Sequence, residues 1–183
     1  MTAKEERILN ASQDIFLKFG YTKTTMSDIA EAVGISRPGL YLIYPKKEEI
    51  FKALILKLSE ELSAEVKKRN ATVNDPLLQL RVVLNIWVVE MYTLLNQSPE
   101  SAELYENQLS FAQDCMQQST GLFRADLEEV LKLFPSTSFN ENLAPHDIAI
   151  ILSSAVMGIK KQVHHLDELK KHIDLLIRVC IKV

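Results

Sequence analysis

The feature that most constrains the fold is the stretch from residue 25 to residue 47. Thr25 and Asp28 have the spacing of a capping box, which begins a helix. Gly34 suits the end of that helix, because glycine tolerates the left-handed conformation common there. Ser36 can then cap a second helix. Two short helices joined by a glycine-containing turn form a helix-turn-helix, so the stretch predicts this motif.

The side chains that the second helix turns outward indicate a function. Arg37 can make a bidentate contact to a guanine edge, and Gly39 would let the backbone approach the bases closely. Tyr41, Lys46 and Lys47 suit phosphate oxygens beside a groove. Helix pairs with a glycine turn also occur in helical proteins that bind no DNA, so the spacing alone supports both interpretations.

A longer series of short motifs surrounds this stretch. In order they are Phe19-Gly20, Thr24-Thr25, Asp28-Ile29-Ala30, Val33-Gly34, Leu40-Tyr41, then Tyr44 and Lys47-Glu48. The series, spanning residues 16–51, resembles the DNA-binding domain of TetR-type transcriptional regulators. One position departs from that pattern: the family often has a histidine where this chain has Ile43, which implies the loss of a phosphate contact.

The resemblance implies an all-α protein with two domains. Residues 1–46 would form an N-terminal three-helix helix-turn-helix DNA-binding domain, and residues 47–183 a C-terminal helical domain for ligand binding and dimerisation. Its partners would be double-stranded operator DNA, a small-molecule effector and a second copy of the chain. Together with the outward positions, the resemblance predicts DNA contacts by nine residues: Thr25, Ser27, Ser36, Arg37, Pro38, Gly39, Tyr41, Lys46 and Lys47.

Composition agrees with a folded helical protein. The chain has 183 residues, is 47% apolar and contains only five glycines. Its charged start, MTAKEER, predicts no signal peptide, and we expect no membrane span, so a cytoplasmic location is predicted. Cys115 and Cys180 lack metal or redox spacing and are expected to be buried, reduced thiols.

The distribution of charge is more informative than its total of −3. Residues 18–47 carry five basic and two acidic side chains, a local charge of +3, which leaves −6 for the rest of the chain. A positive patch on an otherwise acidic protein attracts phosphate there without causing non-specific binding over the whole surface. Three charges are few, so an ordinary mixed surface remains an alternative.

The middle of the chain predicts a central apolar helix, residues 77–96, and a second helix from about 109 to 134. The resemblance places a small-molecule pocket in this region. The aromatic and sulfur-bearing side chains expected to converge there, and predicted to bind the effector, are Trp87, Met91, Tyr92, Phe111, Met116 and Phe123. For any one of them, simple core packing is the commoner role.

Two further helices, residues 146–165 and 167–182, offer more apolar surface than an outer helix of a monomer can bury. The resemblance implies that they pair with their copies in a four-helix dimer bundle. The predicted interface residues are Ile148, Ile151, Leu152, Ala155, Ile159, Leu169, Ile173 and Ile177.

Four polar residues near the last helix allow two interpretations. His164, His165, Asp167 and His172 could bind a metal or form a pH-sensitive seam, but a solvated helix end is the commoner case. We therefore predict no metal and no cofactor. The chain has no nucleophile elbow, phosphate loop or zinc-protease motif, and we predict that it is not an enzyme.

The patterns together predict a homodimeric, ligand-responsive DNA-binding regulator, most simply a repressor that reads a pseudo-palindromic operator. The alternative is a helical ligand-binding or protein-interaction module that has lost DNA binding. Ile43 and the small local charge favour that alternative.

Overall fold

The computed structural model describes residues 1–100, 110–140 and 143–182, and all regular elements in these ranges are helices, as predicted. The chain forms two compact units. The first comprises Met1–Leu58 and Leu94–Gln118, and the second Ser59–Thr93 and Ser119–Val183. The domain boundary expected after residue 46 does not coincide with these units and stays a prediction about function.

The helices of the N-terminal part follow the predicted signals closely. They are α1 (Ala3–Phe19), α2 (Met26–Val33), α3 (Arg37–Tyr41) and the long α4 (Lys47–Asn70). Thr2 and Glu5 form a capping box at the start of α1. Gly20 follows α1 with φ of 79°, a backbone conformation that L side chains rarely adopt.

The core of the first unit gathers apolar side chains from all these helices. Its buried members are Ile8, Leu9, Phe16, Tyr21, Ile29, Ala30, Val33, Leu40, Ile50, Phe51, Leu54, Ala112 and Cys115. The start of α4 therefore completes this core rather than beginning a separate one. Phe19 is 47% exposed, because α1 ends there and the chain turns at Gly20.

The remaining helices are α5 (Pro76–Leu84), a π-helix (Asn85–Glu90), α6 (Met91–Leu95), α7 (Gln113–Leu131), α8 (Pro145–Lys160) and α9 (Leu166–Cys180). Two 3₁₀ helices, Ser110–Ala112 and Ser136–Ser138, lie among them. The single helix predicted over residues 77–96 therefore contains a π-helical interruption. A further segment is predicted from Pro99 to Gln108. Its residues after 100 lie outside the described residues.

The second unit has its own core, to which α4, α5, α7, α8 and α9 all contribute. The run Pro76–Leu95 is long and apolar enough, by length and composition alone, to cross a membrane, which the sequence reading did not anticipate. Central helices of globular proteins meet the same criterion, and Leu80, Val83, Leu84 and Ile86 in this run are fully buried. The run is therefore weak evidence for a membrane span.

Candidate nucleic-acid interface

The predicted capping of α2 is confirmed. The backbone N–H of Asp28 donates to Thr25 Oγ1 at 3.3 Å, and the N–H of Thr25 donates to Asp28 Oδ2 at 2.8 Å. These hydrogen bonds from Thr25 hold the pKa of Asp28 below its usual range. At the other end Gly34 has φ of 72° and donates to the carbonyls of Ala30 and Glu31. The turn is thus built as its residues predict.

The start of α3 is fixed by Ser36. Its Oγ accepts a hydrogen bond from the backbone N–H of Gly39 at 3.2 Å. A Cβ at residue 39 would lie 3.0 Å from that same Oγ, so a larger residue here would press on the cap. This is a different reason from the close approach to DNA that we expected. Leu40, fully buried, anchors α3 in the core.

The outward side of α3 carries the predicted contact residues. Arg37, Pro38 and Tyr41 are exposed, Tyr41 by 44%, and Lys46 is exposed just before α4. Within residues 1–100, 110–140 and 143–182, no side chain forms a hydrogen bond or ion pair with Arg37 or Lys46. Their charges are therefore available to a partner outside the chain.

Leu42 is a surface residue that the sequence reading missed. It follows Tyr41 at the C-cap of α3 and is 88% exposed, whereas the neighbouring Ile43 is partly buried against the first core. We predicted an outward position for Tyr41 but none for Leu42. An apolar side chain exposed directly after Tyr41 suits contact with a thymine methyl group.

The ammonium of Lys47 makes contacts within the chain that were not predicted. Its Nζ donates to the carbonyl oxygens of Tyr21 at 2.6 Å and Thr24 at 2.7 Å, and lies 4.1 Å from the centroid of the Tyr21 ring. The ammonium thereby ties the start of α4 to the loop between α1 and α2. At least two of the three ammonium donors are thus engaged within the chain, and the phosphate contact of Lys47 stays a prediction.

Two other predicted contact residues lie at the N-terminus of α2. The exposed Thr25 already uses its hydroxyl in the cap, where Oγ1 donates to Asp28 Oδ2 at 2.8 Å. Ser27 is half-buried one residue into the helix. Opposite this end, Arg7 of α1 donates to the carbonyl of Val33 at 3.1 Å and holds α1 against the turn.

The six residues predicted to bind an effector do not all converge. In the second unit, Trp87 and Phe123 are buried with ring centroids 5.4 Å apart, Tyr92 donates to the carbonyl of Val163 at 3.2 Å, and Met91 is half-buried. In the first unit, Phe111 packs on Tyr21 and Phe51, and Met116 is 44% exposed. Helix periodicity could not reveal which core each side chain joins.

The predicted dimer residues divide in two groups. Ile148, Leu152, Leu169, Ile173 and Ile177 are at most 6% exposed and belong to the core of the second unit. Ile151 is 43% exposed, and Ala155 and Ile159 are half-buried. Five of the eight are therefore used within the protomer, because the most regular apolar stripe of each helix faces its own core.

The histidines near α9 do not gather around a common point. His164 and His165 are exposed, and His172 Nδ1 lies 2.9 Å from the carbonyl oxygen of Glu168 in the preceding turn. Across the described part of the chain, no three His, Cys, Asp or Glu side chains cluster as metal ligands. Cys115 and Cys180 are buried free thiols, as predicted, and burial raises the pKa of both.

A capped two-helix motif on a small helical core, with the exposed Arg37 on its second helix and Lys46 after it, defines a helix-turn-helix DNA-binding transcriptional regulator. Residues 8–54 match the family model described as bacterial regulatory proteins, tetR family. Residues 8–54 are therefore a DNA-binding domain of the TetR type.

Individual relatives agree with this assignment. The HTH-type transcriptional regulator RutR of Escherichia coli K12 is 26% identical over 148 residues, covering 80% of this chain and 68% of RutR. The regulator YfiR of Bacillus subtilis is 38% identical over 52 residues, covering 28% of this chain but only 25% of YfiR. Among solved structures, a TetR transcription regulator from Haloarcula marismortui superposes with a TM-score of 0.77 at 17% identity, over 100% of both chains.

Proposed function

We propose that the protein is a homodimeric repressor whose two α3 helices enter successive major grooves of a pseudo-palindromic operator. The observation that carries this proposal is the exposed, unpaired Arg37 in the first turn of a helix held by the Ser36 cap. Arg37 would make a bidentate contact to a guanine, and Leu42 would contact a thymine methyl. Tyr41 and Lys46 would bind phosphate. The half-sites would lie about 34–36 Å apart or at a multiple of that spacing.

The dimer surface we propose lies on the outer sides of α8 and α9. Ile150, Ile151 and Met157 of α8 are 37–43% exposed, and Leu175 and Val179 of α9 are 47% and 75% exposed. Ile150 and Met157, seven residues apart, lie on one side of α8, and Ile151 widens this apolar surface. An apolar stripe of this kind on a soluble protein favours contact with a second copy.

The effector is proposed to bind in the second unit. Two solved structures of the same fold hold small molecules: SmeT with triclosan, with a TM-score of 0.71, and a transcriptional regulator from Saccharomonospora viridis with choline, with a TM-score of 0.70. Binding would favour a subunit arrangement that no longer matches the operator. Such coupling is typically about 1–3 kcal/mol, and effector and DNA must weaken each other equally.

Two further assignments go with this function. We assign DNA binding to residues 1–46 and regulation to residues 47–183, as the resemblance implies. A regulator that acts on operator DNA would be cytoplasmic. The alternative of a module that has lost DNA binding is not favoured, because Ile43 packs against the first core and leaves the exposed side of α3 intact.

The proposal is tested by selecting the purified protein against random double-stranded DNA at near-physiological salt. We expect one inverted repeat to be enriched. Arg37→Ala should then weaken binding to the best site by about 1–3 kcal/mol and relax the preference at one base position. If folded, dimeric protein enriches no motif, the assignment as an operator-binding repressor is wrong. If Arg37→Ala weakened binding to every DNA sequence equally, Arg37 would contact only phosphate.

A further inference from the structure

The core of the first unit includes a short segment from far along the chain. Phe111, in the 3₁₀ helix Ser110–Ala112, packs against this core, and Ala112 and Cys115 are buried in it with exposed fractions of 1% and 3%. These residues lie well beyond residues 8–54, which match the tetR family model. The first unit is therefore completed by a segment that the matched motifs do not include.

Phe111 belongs to a cluster of four aromatic rings. Its ring centroid lies 5.5 Å from that of Tyr21 and 6.0 Å from that of Phe51. The Tyr21 centroid in turn lies 5.0 Å from that of Phe51 and 5.6 Å from that of Phe16. Aromatic rings at these distances attract one another beyond the effect of the area that they bury. Phe111 therefore helps to fix the ring of Tyr21.

Tyr21 lies in the loop between α1 and α2 and is linked to the start of α2. Its carbonyl accepts a hydrogen bond from Lys47 Nζ at 2.6 Å, and the same ammonium lies 4.1 Å from the centroid of its ring. Lys47 also donates to the carbonyl of Thr24, the residue directly before Thr25, which is the N-cap of α2. A shift of the Tyr21 ring would therefore reach the residues that begin α2.

Two polar contacts hold an earlier part of the same segment, residues 94–118, near this loop. Ser98 Oγ donates to the carbonyl of Leu17 in α1 at 3.4 Å, and Lys23 Nζ lies 3.7 Å from Glu100 Oε1. The hydrogen bond is long and the ion pair is exposed, so each contributes little. The aromatic contacts of Phe111 therefore provide the closely packed part of this contact.

We propose that Phe111 is a positioning residue for operator binding. Its ring holds Tyr21, and through Tyr21 and Lys47 it fixes the loop that sets the N-terminus of α2 against the DNA. That N-terminus carries Thr25 and Ser27, two of the predicted DNA contacts. Phe111 itself, half-buried among the rings, would not contact the DNA. The link to operator binding rests on the proposed function, whereas the ordering of the loop by Phe111 does not.

Three variants of the whole protein separate this role from a general loss of stability. Phe111→Leu removes the ring but stays apolar, and Phe111→Tyr keeps the ring. Phe139→Leu is the matched control, because Phe139 is 4% exposed in the core of the second unit and its ring centroid lies 6.1 Å from that of Phe134. Fluorescence anisotropy of the selected operator measures binding at a temperature at which circular dichroism shows every variant to be folded.

We expect Phe111→Leu to weaken operator binding about two- to tenfold, the factor that corresponds to the loss of one aromatic pair. The salt slope should not change, because no phosphate contact is removed. Phe111→Tyr and Phe139→Leu should bind like the wild type. If folded Phe111→Leu binds as tightly as Phe111→Tyr, or if Phe139→Leu binds as weakly as Phe111→Leu, the proposal is wrong.

A double-mutant cycle with Lys47→Met tests the path through Tyr21. If both side chains act on the same loop, Phe111→Leu should weaken operator binding less in the Lys47→Met protein than in the wild type. Additive losses would show that Phe111 acts independently of Lys47 and would overturn the proposed path.

Amide hydrogen exchange gives a readout without DNA. Phe111→Leu should raise the exchange rates of residues 21–29 more than Phe139→Leu does, because the loop and the first turn of α2 open more often. Unchanged exchange in these residues would overturn the proposal even if operator binding were weakened. If no operator is selected at all, the regulatory proposal fails, and the exchange rates still decide whether Phe111 orders the loop.

Discussion

Lys47 provides the sharpest test of how this fold is held together. Lys47→Met keeps most of the aliphatic stem but removes the ammonium that donates to the carbonyls of Tyr21 and Thr24. Hydrogen bonds from a charged group contribute about 1.5–3 kcal/mol each, and a cation–π contact at an exposed site about 0.5–1 kcal/mol. Lys47 is only half-buried, so water can replace part of these interactions. We therefore expect a loss of about 2–4 kcal/mol in the free energy of unfolding.

Lys46→Met is the matched control, because it removes the same charge one residue earlier from an exposed side chain. Urea unfolding followed by circular dichroism measures the stability of both variants. The salt dependence of operator binding, measured below the unfolding transition, measures their phosphate contacts. We expect Lys46→Met to leave stability unchanged and to lower the salt slope by about 1.

We expect the opposite behaviour from Lys47→Met: lower stability and an almost unchanged salt slope. The reasoning would be refuted if Lys47→Met unfolded at the urea concentration of the wild type. It would also be refuted if its salt slope fell by about 1 while that of Lys46→Met stayed constant. The first outcome would show that the contacts with the loop carbonyls contribute little, and the second that the ammonium of Lys47 is a phosphate ligand.

Three other predictions concern different surfaces. Leu42→Ala should reduce the preference for thymine at one operator position by about 1 kcal/mol, measured by competition between operator variants, and a uniform loss would contradict the contact. Val179→Glu should shift the dimer to monomer in sedimentation, whereas Leu78→Glu, at a side chain 54% exposed on α5, should not. Burial lowers the pKa of Lys160 from 10.5 to about 8, so between these values the unfolded chain binds more protons and the free energy of unfolding should rise with pH. Lys160→Met should abolish that rise in urea titrations, and an unchanged pH profile would show that Lys160 is well hydrated.

The local architecture of the DNA-binding motif could be predicted from the sequence. Three features of the motif are local: the capping box of Thr25 and Asp28, the left-handed Gly34 and the Ser36 cap. Each of them joins atoms that are at most five residues apart in sequence. Such interactions depend on residue type and spacing alone. The class of protein followed for the same reason, because the motifs that mark the TetR family are local in sequence.

The choice of partners over long sequence distances could not be predicted. An apolar stripe indicates that a helix side is buried but not what buries it. Ile148 and Ile173 therefore looked like interface residues although they fill their own protomer, while the more exposed Val179 was not selected. In the same way Phe111 was assigned to the pocket but stacks on Tyr21 in the other core.

Polar side chains show the same limit. In sequence, Lys47 is one more basic residue after a recognition helix, and only the path of the loop between α1 and α2 brings two carbonyl oxygens to its ammonium. In sequence, Asp126 is an ordinary helical acid, and only the tertiary structure brings the donors of Ser63 and Trp87 to its carboxylate. The sequence by itself determined the helices, their caps and the family. The tertiary structure decided which charged groups are hydrogen-bonded inside the protein and which are exposed to a ligand. Hydration and pairing of a charged group depend on groups that are distant along the chain.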